Sequence, residues 1–167
     1  MRDSIRNISG TLLLLLACIV NASQALAGES TMAKGSLSVE GPDKSLSVTL
    51  THAYYITGID RFDETKTVRS IVFTTDDQRA AIDECEDLSC AMLSSSDGLK
   101  IDLDESGMIN WWAHISPVQY SSMASGDALV LRVDKPDRLA GTFKLGSSST
   151  TTAIEFDASL VKDFSKE

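Results

Sequence analysis

The sequence predicts a mainly β protein, an antiparallel β-sandwich of immunoglobulin-like or related type with one short helix. Apolar residues recur with period two through about eight short segments, turn-forming residues separate those segments at regular spacing, and a single stretch has helical spacing.

Leu37 and Val39 alternate with serines, and Gly41-Pro42-Asp43-Lys44 then makes a turn. Leu46, Val48, Leu50, His52, Tyr54 and Ile56 follow on one expected face, opposite Ser47, Thr49 and Thr51, so the two segments read as a hairpin. Thr57–Thr65 is a polar loop. Lys66–Thr74 is apolar on both faces near its end, as a central strand is. Thr75-Asp76-Asp77-Gln78 fits a capping box, and Ala81, Ile82 and Cys85 have helical spacing, which places the helix at Asp77–Cys85. Leu99, Ile101 and Leu103 form the next strand, and Glu105-Ser106-Gly107 turns it into Ile109, Trp111, Ala113 and Ile115. Pro117–Gly126 reads as a Ser-rich connection. Leu129–Val133, Leu139–Leu145 and Ile154–Leu160 complete the strands, with turns at Lys135-Pro136-Asp137 and Gly146–Thr151.

Composition bounds the function. The 167 residues carry 15 Lys or Arg against 24 Asp or Glu, a net charge of −9. Nucleic acid and anionic membrane surfaces require clustered cations, so neither is the expected partner. No run of about 18 apolar residues exists, so no transmembrane helix is expected.

The first 27 residues read as a secretory signal peptide. Arg2 and Arg6 supply a positive start, Thr11–Val20 is a short apolar stretch with five consecutive leucines, and Ala25-Leu26-Ala27 ends it with small residues. Leu15-Leu16-Ala17-Cys18 also resembles a lipobox, so lipid attachment at Cys18 is the competing route. Cleavage after Ala27 removes Arg2, Arg6 and Asp3 and leaves 13 basic and 23 acidic residues, net −10. Residues 28–33 read as a flexible segment, 34–162 as one domain and 163–167 as a tail. A chain of this size buries roughly two-thirds of its unfolded surface, enough for one core.

On either route two unmodified cysteines remain, Cys85 and Cys90. In an oxidising compartment that pair reads as a local disulfide, whose six-residue loop contributes about 2 kcal/mol in the chain-entropy model. A redox pair normally has two intervening residues, and a metal site needs further ligands.

With these pieces in order, a family resemblance emerges. Lys34-Gly35-Ser36-Leu37-Ser38-Val39, His52-Ala53-Tyr54, Phe62-Asp63 with Lys66 and the Val72–Asp76 junction resemble one recurring exported bacterial domain with a β-sandwich-like core. Arg138-Leu139-Ala140-Gly141-Thr142-Phe143 and Ile154-Glu155-Phe156-Asp157-Ala158 extend the resemblance over most of residues 34–160. Cys85, Cys90 and the Ser/Thr-rich second half depart from the pattern. The resemblance implies fold and export, and that family brings no established activity.

Three constellations bear on chemistry. Asp102-Leu103-Asp104-Glu105-Ser106-Gly107 opens like a calcium loop, with Asp102, Asp104 and Ser106 as oxygen donors, but Ala113 stands where the bidentate carboxylate belongs. Alternation on both sides favours an acidic β-hairpin with at most weak calcium binding. Trp111 and Trp112 must point to opposite faces of a strand, Trp111 inward and Trp112 outward with Asn110 and His114. That outward trio is the candidate ligand-binding surface for a sugar or peptide, unless Tyr120 and Met123 fold over Trp112. His52 reads as a core or rim histidine, and Asp60, Asp63 and Glu64 as a solvated loop cluster. No G-x-S-x-G elbow or phosphate-cradling glycine motif follows residue 27. With no catalytic set and no cofactor expected, the reading is a periplasmic or extracellular binding or accessory domain with a protein or glycan partner in the envelope.

Overall fold

The computed structural model describes residues 31–60, 63–92, 96–103 and 107–165. The expected signal peptide, Cys18, Asp104 and Ser106 lie outside the described residues. Nine strands form: β1 (Thr31–Glu40), β2 (Ser45–Ile59), β3 (Thr67–Thr74), β4 (Gly98–Leu103), β5 (Met108–Ile115), β6 (Val118–Ser125), β7 (Leu129–Lys135), β8 (Arg138–Gly146) and β9 (Thr150–Asp163). Two short helices, α1 (Arg79–Glu84) and α2 (Leu88–Met92), follow β3, and one 3-10 turn at Gly126–Ala128 joins β6 to β7.

The expected antiparallel β architecture is present, as one continuous sheet ordered β6-β5-β4-β3-β2-β1-β9-β8-β7. Its single parallel contact joins Tyr55–Thr57 of β2 to Leu160–Asp163 of β9, beyond the start of β1. The sheet curls into a half-barrel. Phe73 of β3 and Phe156 of β9 have two strands between them, yet their rings meet edge to face at 5.4 Å across the interior. Arg69 of β3 likewise reaches Asp134 of β7 at 2.6 Å, and the Tyr120 hydroxyl of β6 donates to the Glu40 carbonyl of β1 at 2.8 Å. Alternation along each strand is the same for a sandwich and a curled sheet. The difference lies in whether the accumulated strand twist closes one sheet on itself.

The interior holds Leu37, Leu50, Tyr55, Ile71, Phe73, Leu99, Ile101, Trp111, Phe143, Ile154 and Phe156, drawn from β1 to β5, β8 and β9. One local irregularity reverses part of the expected facing of β2. The β1–β2 register slips by one residue between Met32 and Gly35, and interior positions change from Leu46, Val48 and Leu50 to Ala53 and Tyr55. His52, Tyr54 and Ile56 therefore do not share the face of Leu50. A bulge of one residue moves every later side chain to the other side of a strand.

That reversal creates a second cluster outside the half-barrel, where Tyr54, Ile56 and Val72 meet Ile82, Cys85, Leu88 and Ala91. The helical segment is two helices rather than one, because Cys85 is extended and interrupts it. The expected capping box is replaced by a tertiary tie. Asp77 Oδ1 accepts the Arg79 N–H at 2.9 Å and the Tyr54 hydroxyl at 2.7 Å, while that hydroxyl accepts the Gln78 N–H at 2.8 Å. Cys85 and Cys90 form the expected disulfide, with Cα atoms 5.5 Å apart. From β9, Lys162 Nζ donates to the Asp83 carbonyl at 3.0 Å and to the Cys85 carbonyl, satisfying the end of α1.

Two further differences concern segments poor in apolar residues. Thr31–Lys34 belongs to β1, held by regular pairing of Thr31–Val39 with Thr150–Ala158 of β9. Pro117–Gly126, read as a connection, contains β6, paired to β5 from Ile115↔Val118 to Met108↔Ser125. In both, ladder hydrogen bonds to a neighbouring strand outweigh the weak local signal of serine, glycine and threonine.

Candidate functional site

The open side of the half-barrel carries a cleft of about 680 Å³. One wall is β6, a terminal strand of the sheet that pairs only with β5. The other is the end of β8. The β7–β8 ladder stops at Leu129↔Phe143, whereas the β8–β9 ladder runs on through Lys144, Leu145 and Gly146. Those three residues thus have β9 on one side and the cleft on the other, and Ser147 and Ser149 of the following turn extend the wall.

Trp111 lies in the floor and is only 3% exposed, yet its indole Nε1 has no hydrogen-bond partner. Thr150, 1% exposed and next to the serine wall, has an equally unpartnered Oγ1. A buried unsatisfied donor or acceptor costs about 1–3 kcal/mol and calls for an explanation. Opposite Trp111 in register stands Ser122, which shares its side of the sheet but is exposed to the cleft. The walls mix hydroxyls, chiefly serines, with the apolar Met123, Ala124, Ala128 and Leu145, and Lys144 and Asp127 are the charges.

A second cavity of about 420 Å³ lies near Tyr55, Arg69, Asp134, Leu160 and Asp163. Burial pushes the Tyr55 hydroxyl pKa up, against the pull of Arg69. Arg69 and Asp134 are already engaged with one another at 2.6 Å, so their charges offer little to an incoming ligand.

The expected trio Asn110, Trp112 and His114 does fall on one side of β5, as alternation requires. Trp112 is half-buried, and Lys100 Nζ of β4 sits 4.3 Å from its ring centroid. Lys100 is 8% exposed and lies 2.9 Å from Asp102, whose Oδ1 also accepts the Ser70 hydroxyl at 2.5 Å. Burial lowers the Lys100 pKa, and Asp102 works against that shift. His114 Nδ1 is 3.7 Å from Asp97, which accepts the Ser116 N–H. Tyr120 and Met123 do not cover Trp112: Tyr120 pairs opposite Ala113 and turns to Glu40, and Met123 is 64% exposed opposite Asn110.

Asp102, the first donor of the candidate calcium loop, thus already holds a lysine ammonium and a hydroxyl. Its strand pairs directly into β5 through Leu103↔Ile109, and Gly107 adopts φ 77°, a left-handed turn conformation suited to glycine. The hairpin reading of this segment therefore stands. Among the described residues no three His, Cys, Asp or Glu side chains cluster as a metal site. Asp60 accepts the Asp63 N–H and Asp63 accepts from the Thr65 hydroxyl, so these carboxylates are engaged locally. Hydrogen bonds from Thr65 and Lys66 lower the Asp63 pKa. Ser159-Leu160-Val161-Lys162 has the S-x-x-K spacing of acyl-transfer enzymes, but it lies within β9 and Lys162 Nζ is committed to α1.

Sequence reasoning missed the cleft because no motif encodes it. Its one legible signal was Trp111, a large aromatic with a polar N–H placed on the inward face of its strand. Fold and cleft together define a small antiparallel half-barrel with a groove along its open side. Comparison with protein-family models, curated proteins and solved structures found no match, so the functional reading rests on the chain's own residues.

Proposed function

We propose that the chain is a non-catalytic binding domain exported to the bacterial cell envelope, with its ligand in the cleft between β6 and the end of β8. Trp111, which lines the floor of that cleft and whose buried indole N–H has no partner in the protein, carries the reading. A ligand oxygen accepting from it would relieve a desolvation cost that the unliganded fold bears. Walls that mix serine hydroxyls with small apolar residues around an aromatic floor suit recognition of a ligand with both polar and apolar groups. The Cys85–Cys90 disulfide fits an oxidising, non-cytoplasmic compartment, and among the described residues no helix is long and apolar enough to cross a membrane. The leader-like first 27 residues and the resemblance to exported β-sandwich-like proteins support the same address, reached by cleavage after Ala27 or by lipidation of Cys18. Intact mass of the protein from its host separates those two routes.

Two single-tryptophan variants test the site. In Trp112→Phe, a ligand bound in the cleft should shift the emission of Trp111. The reading fails if neither oligosaccharides nor peptides move that emission. The outer face of Asn110, Trp112 and His114 is a second reading, favoured by their shared facing, and Trp111→Phe reports on it through Trp112.

A further inference from the structure

We infer that the ligand of this cleft is an extended peptide segment that enters as an additional β-strand, pairing with β6 on one side and with Lys144–Gly146 of β8 on the other. This rests on the cleft reading above and names its ligand class.

The two ends of the sheet differ in how they are guarded. β7 carries Arg132, Asp134 and Lys135 and is followed by Pro136, and Arg132 is engaged with Glu155 at 3.1 Å. Charges and proline are the usual means of keeping a terminal strand from pairing with another chain. β6, with sequence VQYSSMAS, has no charge over eight residues, and a flanking proline, Pro117, is the one guard it shares with β7. It presents a row of backbone groups to a cleft whose far wall is also an unpaired strand end. Strand ends on both sides of the cleft offer backbone donors and acceptors to one added strand, which in a sheet would lie about 4.8 Å from its neighbour.

This geometry selects among occupants. A second copy pairing through its own terminal strand would have to seat that strand's sheet neighbour as well, which a lone peptide does not. A sugar ring held by stacking needs an open aromatic face, and Trp111 is 3% exposed. An extended peptide needs neither. Its backbone pairs with the walls, and alternate side chains point inward beside Ser122 and outward beside Met123. The inward side chain best suited to the site bears an oxygen, as Ser, Thr or Asn does, to accept from Trp111 Nε1. Five extended residues span roughly 17 Å, matched to the length of the β6 wall from Tyr120 to Ser125.

The test uses the full folded domain and a library of capped pentapeptides of the form Thr-X-Ser-X-Thr, with matched peptides N-methylated at both X positions. Binders should slow amide exchange at least tenfold at positions within both Ser121–Ser125 and Lys144–Gly146, and should shift the Trp111 indole N–H resonance. N-methylation removes donors from one side of the strand and should weaken binding at least tenfold. Equal binding of the methylated peptides overturns strand addition. A shift of the Trp111 resonance by an oligosaccharide, with no response to any peptide, overturns the peptide inference and leaves the cleft reading standing. Silence of Trp111 toward both removes both.

Discussion

The half-barrel interior and the cluster beneath the two helices are both apolar, but they are held by different means. The interior gathers side chains from seven strands, and its large residues Phe73, Phe143, Phe156, Leu37 and Ile101 are fully buried. The outer cluster has seven buried residues and rests on helices of six and five residues. Isolated helices shorter than about 12–15 residues are marginal in water. Polar and covalent ties make up the deficit: the Tyr54–Asp77–Gln78 hydrogen bonds at the start of α1, Lys162 at its end, and the Cys85–Cys90 disulfide to α2. A large apolar face orders itself by area, whereas a small one needs directional bonds to fix its geometry.

The largest expected effect is in the interior. Phe156→Ala removes the ring that meets Phe73 and should cost about 3–5 kcal/mol in denaturant unfolding. A cost below that of the disulfide variant would break the comparison. Next is the outer cluster's covalent tie: replacing both Cys85 and Cys90 with serine should cost about 2 kcal/mol. Hydrogen exchange should quicken in α1 and α2 before it does in β1, β2 and β9. Uniform loss of protection across the sheet would mean that the two regions unfold as one.

Smaller still is Tyr54→Phe, which should cost about 1 kcal/mol by deleting two hydrogen bonds at the start of α1. It should also change the alkaline limb of stability. Burial first, and then the hydrogen bond to Asp77, raise the Tyr54 pKa from 10.0 to about 12. Above pH 10 the unfolded state loses this proton while the folded state keeps it, so stability falls from pH 10 toward pH 12. Tyr54→Phe should flatten that fall, measured as melting temperature against pH. Lys100 acts with the opposite sign, because burial lowers its pKa below 10.5 and the unfolded state is the one that holds the proton. The smallest effect belongs to calcium. With Asp102 held by Lys100 and Ser70, millimolar calcium should leave the melting temperature and the amide resonances of Asp102 and Gly107 unmoved.

Much of the sheet was legible in the sequence because alternation is a local property of the chain. Leu99-Ile101-Leu103 and Ile109-Trp111-Ala113-Ile115 bury the side that their period predicts. The outward placement of Asn110, Trp112 and His114 followed from the same rule. β6 was not legible, since its serines and alanine carry little strand preference and its pairing comes from β5. Nor was the reversal at Ala53, which depends on a register slip against another strand.

The sequence by itself determined most of the strands and turns and the Cys85–Cys90 pair, because each depends on residues close together in the chain. Tertiary structure alone decided that nine strands make one curled sheet, that Lys100 occupies Trp112, and that β6 and the end of β8 face each other across a cleft with Trp111 at its floor. Those outcomes depend on the summed twist of the sheet and on contacts between residues far apart in sequence, which no local pattern records.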